Sequence, residues 1–123
     1  MRHRSSKTIL NRPADQRKAL IRSQLTSLFL EGAICTTETK AKLLTSEAGK
    51  LISLVQRKLS KKEEFNAVRE LKKVLFTEES QKRALDFIKK LKGTSGHTRA
   101  TRVGLRSGDS AVKMQVELIA DEK

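Results

Sequence analysis

A strict alternation near the C-terminal end is the feature that most constrains the fold of this chain. Between residues 112 and 118, apolar side chains are separated by single polar ones, which is typical of a strand that buries one face. Before it, Val103 and Leu105 alternate with polar residues or glycine, and Ser107–Ser110 has the composition of a turn. The sequence therefore predicts a β-hairpin with one apolar face, and Val103 and Leu105 are expected on that face.

A two-stranded hairpin is rarely stable alone, so a third strand is required. Ala33–Thr37 is short, rich in β-preferring residues and follows Gly32. We predict that it completes the sheet.

Four amphipathic segments supply the helices. The first is predicted over Ala14–Glu31, because Pro13 suits the start of a helix, Asp15 suits its positive end, and Gly32 offers a left-handed stop. Its apolar stripe has helical spacing. That stripe is Leu20, Ile21, Leu25, Leu28 and Phe29.

Three more helices are predicted between residues 38 and 91. The second is capped within Thr36–Thr37 and runs to about Leu59, and the third begins at a capping box, Ser60–Glu63. The fourth follows Thr77 and ends at Gly93. The apolar stripes are Ala41, Leu44, Ala48, Leu51, Ile52, Val55 and Leu59, then Phe65, Val68, Leu71 and Leu75, then Ala84, Leu85, Ile88 and Leu91.

The predicted fold class is α+β: a small three-stranded sheet, made of one short strand and a C-terminal hairpin, is packed by about four helices on one face. An extended basic N-terminal arm, residues 1–12, precedes a single domain over residues 13–120, and residues 121–123 form a tail. The arm has no acidic residue and little to bury, so we expect it to become ordered only against a polyanion. When extended, the arm reaches at most about 40 Å. This is long enough to thread between folded RNA elements in a larger particle.

Net charge indicates the class of partner. There are 27 Lys and Arg against 14 Asp and Glu, a formal charge of +13, and repulsion of this kind is relieved by nucleic acid or an anionic membrane. Two clusters concentrate the excess. The candidate contacts are Arg2, Arg4, Lys7, Arg12, Arg17, Lys18 and Arg22 in the first cluster and Arg99, Arg102 and Arg106 in the second. Arg102 and Arg106 are expected on the hairpin face opposite Val103 and Leu105.

Other classes have less support in the sequence. No stretch is as apolar as a spanning helix, and the N-terminus has neither the apolar region of a signal peptide nor a glycine at position 2. There is no Trp or Tyr, which disfavours aromatic base stacking. Cys35, His3 and His97 lack metal-ligand spacing, and no phosphate loop or nucleophile elbow is found. We expect no enzyme, no metal, no cofactor and no small-molecule substrate.

Several stretches resemble a known family. These stretches are Met1–Arg4 with Leu10–Arg12, then Ile34–Thr37 leading into Lys40–Lys42, then Gly96–Arg99, then Gly104–Ala111 running to Glu117–Ile119. In order and spacing they are similar to the bacterial large-subunit ribosomal protein numbered seventeen. The resemblance implies an α+β structural protein of the 50S subunit in the cytoplasm, binding 23S ribosomal RNA near the polypeptide exit tunnel beside other ribosomal proteins. It implies RNA contacts at Arg2, His3, Arg4, Asn11, Arg12, Arg17, Thr37, Lys40, Arg99 and Arg106.

Two alternatives remain open from the residues alone. A free DNA- or RNA-binding regulator would carry similar charge, but it would form a sequence-selective complex with a short duplex. A small enzyme would need a convergent pocket, and the sequence does not indicate one. For the ribosomal interpretation, contacts with phosphate and RNA shape are expected, with little readout of bases.

Overall fold

A computed structural model of the chain describes His3 and residues 8–120. Four helices and a three-stranded sheet follow one another along this part of the chain. The elements are α1 Ala14–Glu31, β1 Ala33–Thr37, α2 Glu38–Ser60, α3 Glu64–Val74, α4 Glu78–Lys90, β2 Thr98–Leu105 and β3 Val112–Leu118. The predicted α+β class is confirmed, as are the bounds of α1 and β1.

The ends of α1 follow from local chemistry. Pro13 precedes the first helical residue as the N-cap, with φ −57° and ψ 155°, and Asp15 lies in the first turn. At the other end Gly32 has φ +82°, and its N–H donates to the Leu28 carbonyl at 2.8 Å. A left-handed residue is needed there to turn the chain directly into β1, and glycine adopts this conformation without a Cβ clash.

The sheet is antiparallel with β3 in the centre, in the order β1-β3-β2. Ile34, Val116 and Ala100 are opposite one another across the three strands. All three pack in or against the hydrophobic core, and α2 packs across all three strands. The helices therefore cover this side of the sheet. The residues one position along each strand lie on the other side, which we call the outer face.

The core lies between α2 and the other elements. Its most completely buried large side chains are Leu28, Leu44, Ile52, Val55, Leu71, Leu75, Ile88 and Val116. Most of these occupy the apolar stripes that the sequence predicted, which confirms that the stripes form a core. Burying side chains of this size stabilises the fold by about 1.5–3 kcal/mol each. No helix of the described residues is both long and apolar enough to span a membrane.

The predicted capping box at Ser60 is wrong. Helix α2 continues through Ser60, whose hydroxyl donates to the Arg57 carbonyl at 2.9 Å. The N-cap of α3 is Glu63, without a side-chain capping bond, and Lys62 makes the turn between the helices with φ +60°. The serine lies too early to cap α3 because the turn itself needs residues 61–63.

Three apolar residues are not where the sequence pattern placed them. Phe65 is 70% exposed on α3, while Ala67 and Leu71 form its buried side. A register shift between Arg102 and Gly104 interrupts the alternation of β2. Because an inserted residue breaks the period of two, Val103 and Leu105 do not form a buried face and are 55% and 61% exposed.

The last helix agrees with the sequence at its start and departs at its end. The Thr77 hydroxyl accepts from the Ser80 N–H, as the predicted cap requires. Helix α4 ends at Lys90, before the predicted stop at Gly93. Gly93 instead lies in the loop before β2, where its carbonyl is 2.9 Å from Nε2 of the buried His97.

Candidate nucleic-acid interface

The arm is described only in part. Arg2, Arg4 and Lys7 lie outside the described residues, and His3 is exposed. Before α1 the chain makes a turn in which Leu10 and Asn11 have φ of +55° and +52°. The predicted contacts Asn11 and Arg12 are both exposed there, and the Arg12 N–H donates to the Ile9 carbonyl at 3.3 Å. The turn therefore presents both side chains to solvent next to the start of α1.

The first turns of α1 carry Arg17 and Lys18. Lys18 is exposed and makes no ion pair with a described residue. Arg17 is half-buried, and its Nη1 donates to the Arg12 carbonyl at 3.5 Å. It borders a groove of about 670 Å³ between α1 and α2, which is also lined by Lys42 and Lys50. Neither lysine is among the RNA contacts predicted from the sequence.

Arg22 has internal partners, unlike Lys18. Its Nε donates to the Val74 carbonyl at 2.9 Å, and its guanidinium lies 4.2 Å from the centre of the Phe76 ring. Next to it, the Thr26 hydroxyl donates to the Arg22 carbonyl and accepts from the Phe76 N–H. These contacts hold α1 against the segment between α3 and α4.

Three predicted contacts from distant parts of the sequence meet at one corner of the sheet. Thr37, Lys40 and Arg106 line a groove of about 290 Å³ at the junction of β1, α2 and the hairpin. Lys113 and the exposed Cys35 line the same groove. Lys113 was missed in the sequence, although its place among the polar positions of the alternating strand β3 is the signal that identifies it.

Arg106 is held in this groove by its neighbour Asp109. Its Nε donates to Oδ1 at 3.0 Å, and Nη2 donates to Oδ2. The Ala111 N–H donates to the same carboxylate at 3.2 Å. The pKa of the Asp109 carboxyl is lowered well below its ordinary value, mainly by the hydrogen bond from Arg106 and to a smaller extent by the one from Ala111. The hydrogen bond to Asp109 in turn raises the pKa of Arg106.

Arg99 and Arg102 lie on opposite faces of the sheet, and the register shift after Arg102 interrupts the face that Arg102 and Arg106 were predicted to share. Arg99 is opposite Glu117 on the outer face and forms an ion pair with it, with Nε 2.6 Å from Oε1. Arg102 is opposite Met114, whose side chain packs against the core, so Arg102 lies on the helix side. Two strand residues whose numbers differ by an odd number point to opposite faces, and clustering by charge does not take this into account.

Ion pairs are unevenly distributed over the described residues. Nine are present, and all lie between Glu38 and Glu117. Within the described part of the chain, the cations before Glu38 therefore have no carboxylate partner. Lys40 and Lys113 also form no ion pair there, so the groove at the sheet corner contains two uncompensated lysines. No group of three His, Cys, Asp or Glu side chains in this part of the chain could hold a metal ion.

Fold and surface together define a small, strongly basic α+β domain in which helices cover one face of a three-stranded sheet. The family model described as Ribosomal protein L17 matches residues 20–119. The chain is 41% identical to large ribosomal subunit protein bL17 of Desulforapulum autotrophicum, over 99% of both chains. It is 39% identical to the protein of that name from Clostridium perfringens, over 89% of this chain and 95% of the other. It is 35% identical to that from Desulforudis audaxviator, over 86% and 92%.

The chain belongs to the ribosomal protein L17 family. The resemblance found in the sequence is thereby confirmed, and the protein is a structural component of the large ribosomal subunit in the cytoplasm, not an enzyme.

Proposed function

We propose that this protein binds 23S ribosomal RNA in the large subunit, through contacts with phosphate and RNA shape, and thereby supports subunit assembly and translation. The proposed position near the polypeptide exit tunnel, beside other large-subunit proteins, rests on the family resemblance. The proposed contacts lie in three places: the basic arm over residues 1–12, the start of α1, and the groove at the sheet corner. The last two belong to a single domain over residues 13–120.

One observation carries this proposal: the described cations that lack carboxylate partners include those of the arm and of α1, and two of the three in the groove. None of the described cations before Glu38 has a carboxylate partner, and neither do Lys40 and Lys113 of the groove. In α3 and α4, by contrast, paired cations such as Lys73 and Arg83 are mixed with unpaired ones. The like charges of such a surface repel one another, and binding of a polyanion relieves this repulsion. RNA phosphates supply the negative charge.

The proposal is tested by sedimentation and by direct binding. Cell lysate is fractionated under magnesium, and the chain is expected in the large-subunit peak. Purified protein is then titrated with protein-free 23S ribosomal RNA at several salt concentrations, and affinity should fall steeply as salt rises because bound counterions are released. Absence from the large-subunit peak would contradict the proposal. A sequence-selective complex with a short duplex would instead favour the free regulator.

A further inference from the structure

We infer that the outer face of the sheet binds base-paired RNA across its minor groove, with a backbone phosphate in the groove at the sheet corner. This inference rests on the proposed function and specifies the RNA structure that the face recognises. It is argued from the side chains of the face, from the position of the aromatic residues and from the uncompensated lysines.

The outer face is polar and open. Cys35, Gln115 and Thr101 form its central row, and Thr37 and Lys113 lie in the next row. Cys35, Thr101 and Lys113 are exposed, and none of the helices in the described part of the chain covers this side because they pack on the opposite face. A polar open face is suited to a polar partner and not to another hydrophobic layer.

Two groups in the central row are available to form hydrogen bonds. The Thr101 hydroxyl and the Gln115 amide form no side-chain hydrogen bond with any described residue. A hydroxyl and an amide each donate and accept, as does the 2′-hydroxyl of RNA. These two side chains therefore match the group that distinguishes an RNA minor groove from a DNA one.

Aromatic stacking does not contribute to this face. All four Phe side chains belong to the helical layer: Phe29 in α1, Phe65 in α3, Phe76 between α3 and α4, and Phe87 in α4. A sheet that binds single-stranded RNA stacks unpaired bases on aromatic side chains. Without them, the outer face is suited to RNA whose bases are already paired.

The size of the face agrees with a duplex partner. Three strands place the two outer ones about 10 Å apart, and the minor groove of an A-form duplex is wide and shallow, with its 2′-hydroxyls at the surface. At one end of the face, Lys40 and Lys113 lack ion-pair partners among the described residues and border the groove with Thr37. Phosphate in that groove would be held by two ammonium groups and a hydroxyl.

The experiment uses the full-length protein and three nucleic acids of equal phosphate number at one salt concentration: a regular RNA stem, a DNA stem of the same sequence, and a single RNA strand that does not pair. Fluorescence anisotropy measures each affinity. Two hydrogen bonds to 2′-hydroxyls predict roughly tenfold tighter binding to the RNA stem than to the DNA stem. An RNA stem with 2′-deoxy substitutions along one minor groove should bind more weakly than the unmodified stem by the same factor. This comparison needs no protein variant.

Protein variants then locate the contact. Thr101→Val with Gln115→Met should bring the affinity ratio of RNA to DNA close to one, whereas Ser53→Ala on the exposed side of α2 should leave the ratio unchanged. Lys40→Ala and Lys113→Ala should each weaken binding to every stem and reduce the salt slope by about 1. Lys72→Ala, an exposed lysine of α3 without an ion pair among described residues, is the matched charge control.

Equal affinity for the three nucleic acids would overturn the inference, as would a Thr101/Gln115 variant that behaves like Ser53→Ala. The same titration with protein-free 23S ribosomal RNA separates this result from the proposed function. If the protein binds that RNA without preferring the duplex, only the inference fails. If it binds 23S ribosomal RNA no better than an unrelated RNA of equal length, the proposed function fails as well.

Discussion

Replacing Arg22 tests whether this basic residue of α1 binds RNA or stabilises the fold. Sequence reasoning placed it among the RNA contacts, but in the structure its guanidinium donates to the Val74 carbonyl and lies over the Phe76 ring. We therefore predict that Arg22→Ala lowers the stability of the isolated protein. Its effect on RNA affinity, measured where the variant is folded, should be no larger than that of Lys18→Ala.

The expected loss can be estimated from these two contacts. A hydrogen bond from a charged donor contributes about 1.5 kcal/mol at the low end of its range. A cation–π contact with a partly exposed ring adds about 0.5–1 kcal/mol. Together they give about 2 kcal/mol, which for a chain of this size lowers the melting temperature by roughly 8 °C. This is a large fraction of the 5–15 kcal/mol typical of a folded domain.

Urea unfolding followed by circular dichroism measures the change in free energy of unfolding for Arg22→Ala, Arg22→Lys and Lys18→Ala. Lys18→Ala removes the same charge from an exposed position of the same helix and should change stability by less than about 0.5 kcal/mol. Arg22→Lys should recover only part of the loss because an ammonium lacks the planar fork that stacks and donates from Nε. Unchanged stability of Arg22→Ala together with a large loss of RNA affinity would refute the structural role.

Three further predictions concern the arm, the hairpin turn and the end of α1. Deleting residues 1–12 should leave thermal unfolding nearly unchanged but weaken incorporation into the large subunit in a reconstitution assay; a clear loss of melting temperature would show that the arm belongs to the core. The pKa of Asp109 is lowered by Arg106, so the stabilisation by this pair is present above the ordinary carboxyl pKa of about 4 and is lost as pH falls below it. NMR titration should show this, and Asp109→Asn should be less stable than the parent at pH 7 but not at the acid end of the titration. Gly32→Ala should lower the free energy of unfolding in urea by about 1 kcal/mol, because an alanine is strained at φ +82°. The added Cβ would meet open space, so no clash adds to this strain, and an unchanged urea midpoint would contradict the prediction.

The helices and the central strand could be predicted because their signals are local. Ala14–Glu31 and Ala33–Thr37 have the predicted bounds, since Pro13 and Gly32 restrict the backbone through their own covalent structure. The apolar positions of β3 were also read correctly, since Met114, Val116 and Leu118 pack in or against the core. In each case the residue's neighbours in sequence are sufficient to determine the outcome.

The sequence was less informative where a distant contact or a single inserted residue decides the outcome. The shift between Arg102 and Gly104 changed which side of β2 each following residue occupies. Gly104 inside the strand is a local sign of such a bulge, but a glycine alone does not determine where the register shifts. Arg22 has the charge of an RNA contact, but its partners are Val74 and Phe76, more than fifty positions away. Sequence spacing contains no information about such pairs.

The sequence by itself determined the class of fold, the strong basic charge, the apolar stripes that form the core and the family to which the chain belongs, because periodicity, charge and motif order are properties of the linear chain. Only the tertiary structure decided which cations remain without partners and which of them lie together. Thr37, Lys40, Arg106 and Lys113 form one groove because β3 lies between β1 and β2 and α2 starts beside that corner. Strand order and burial are set by packing of the whole chain, and they determine which part of a basic sequence becomes a binding surface.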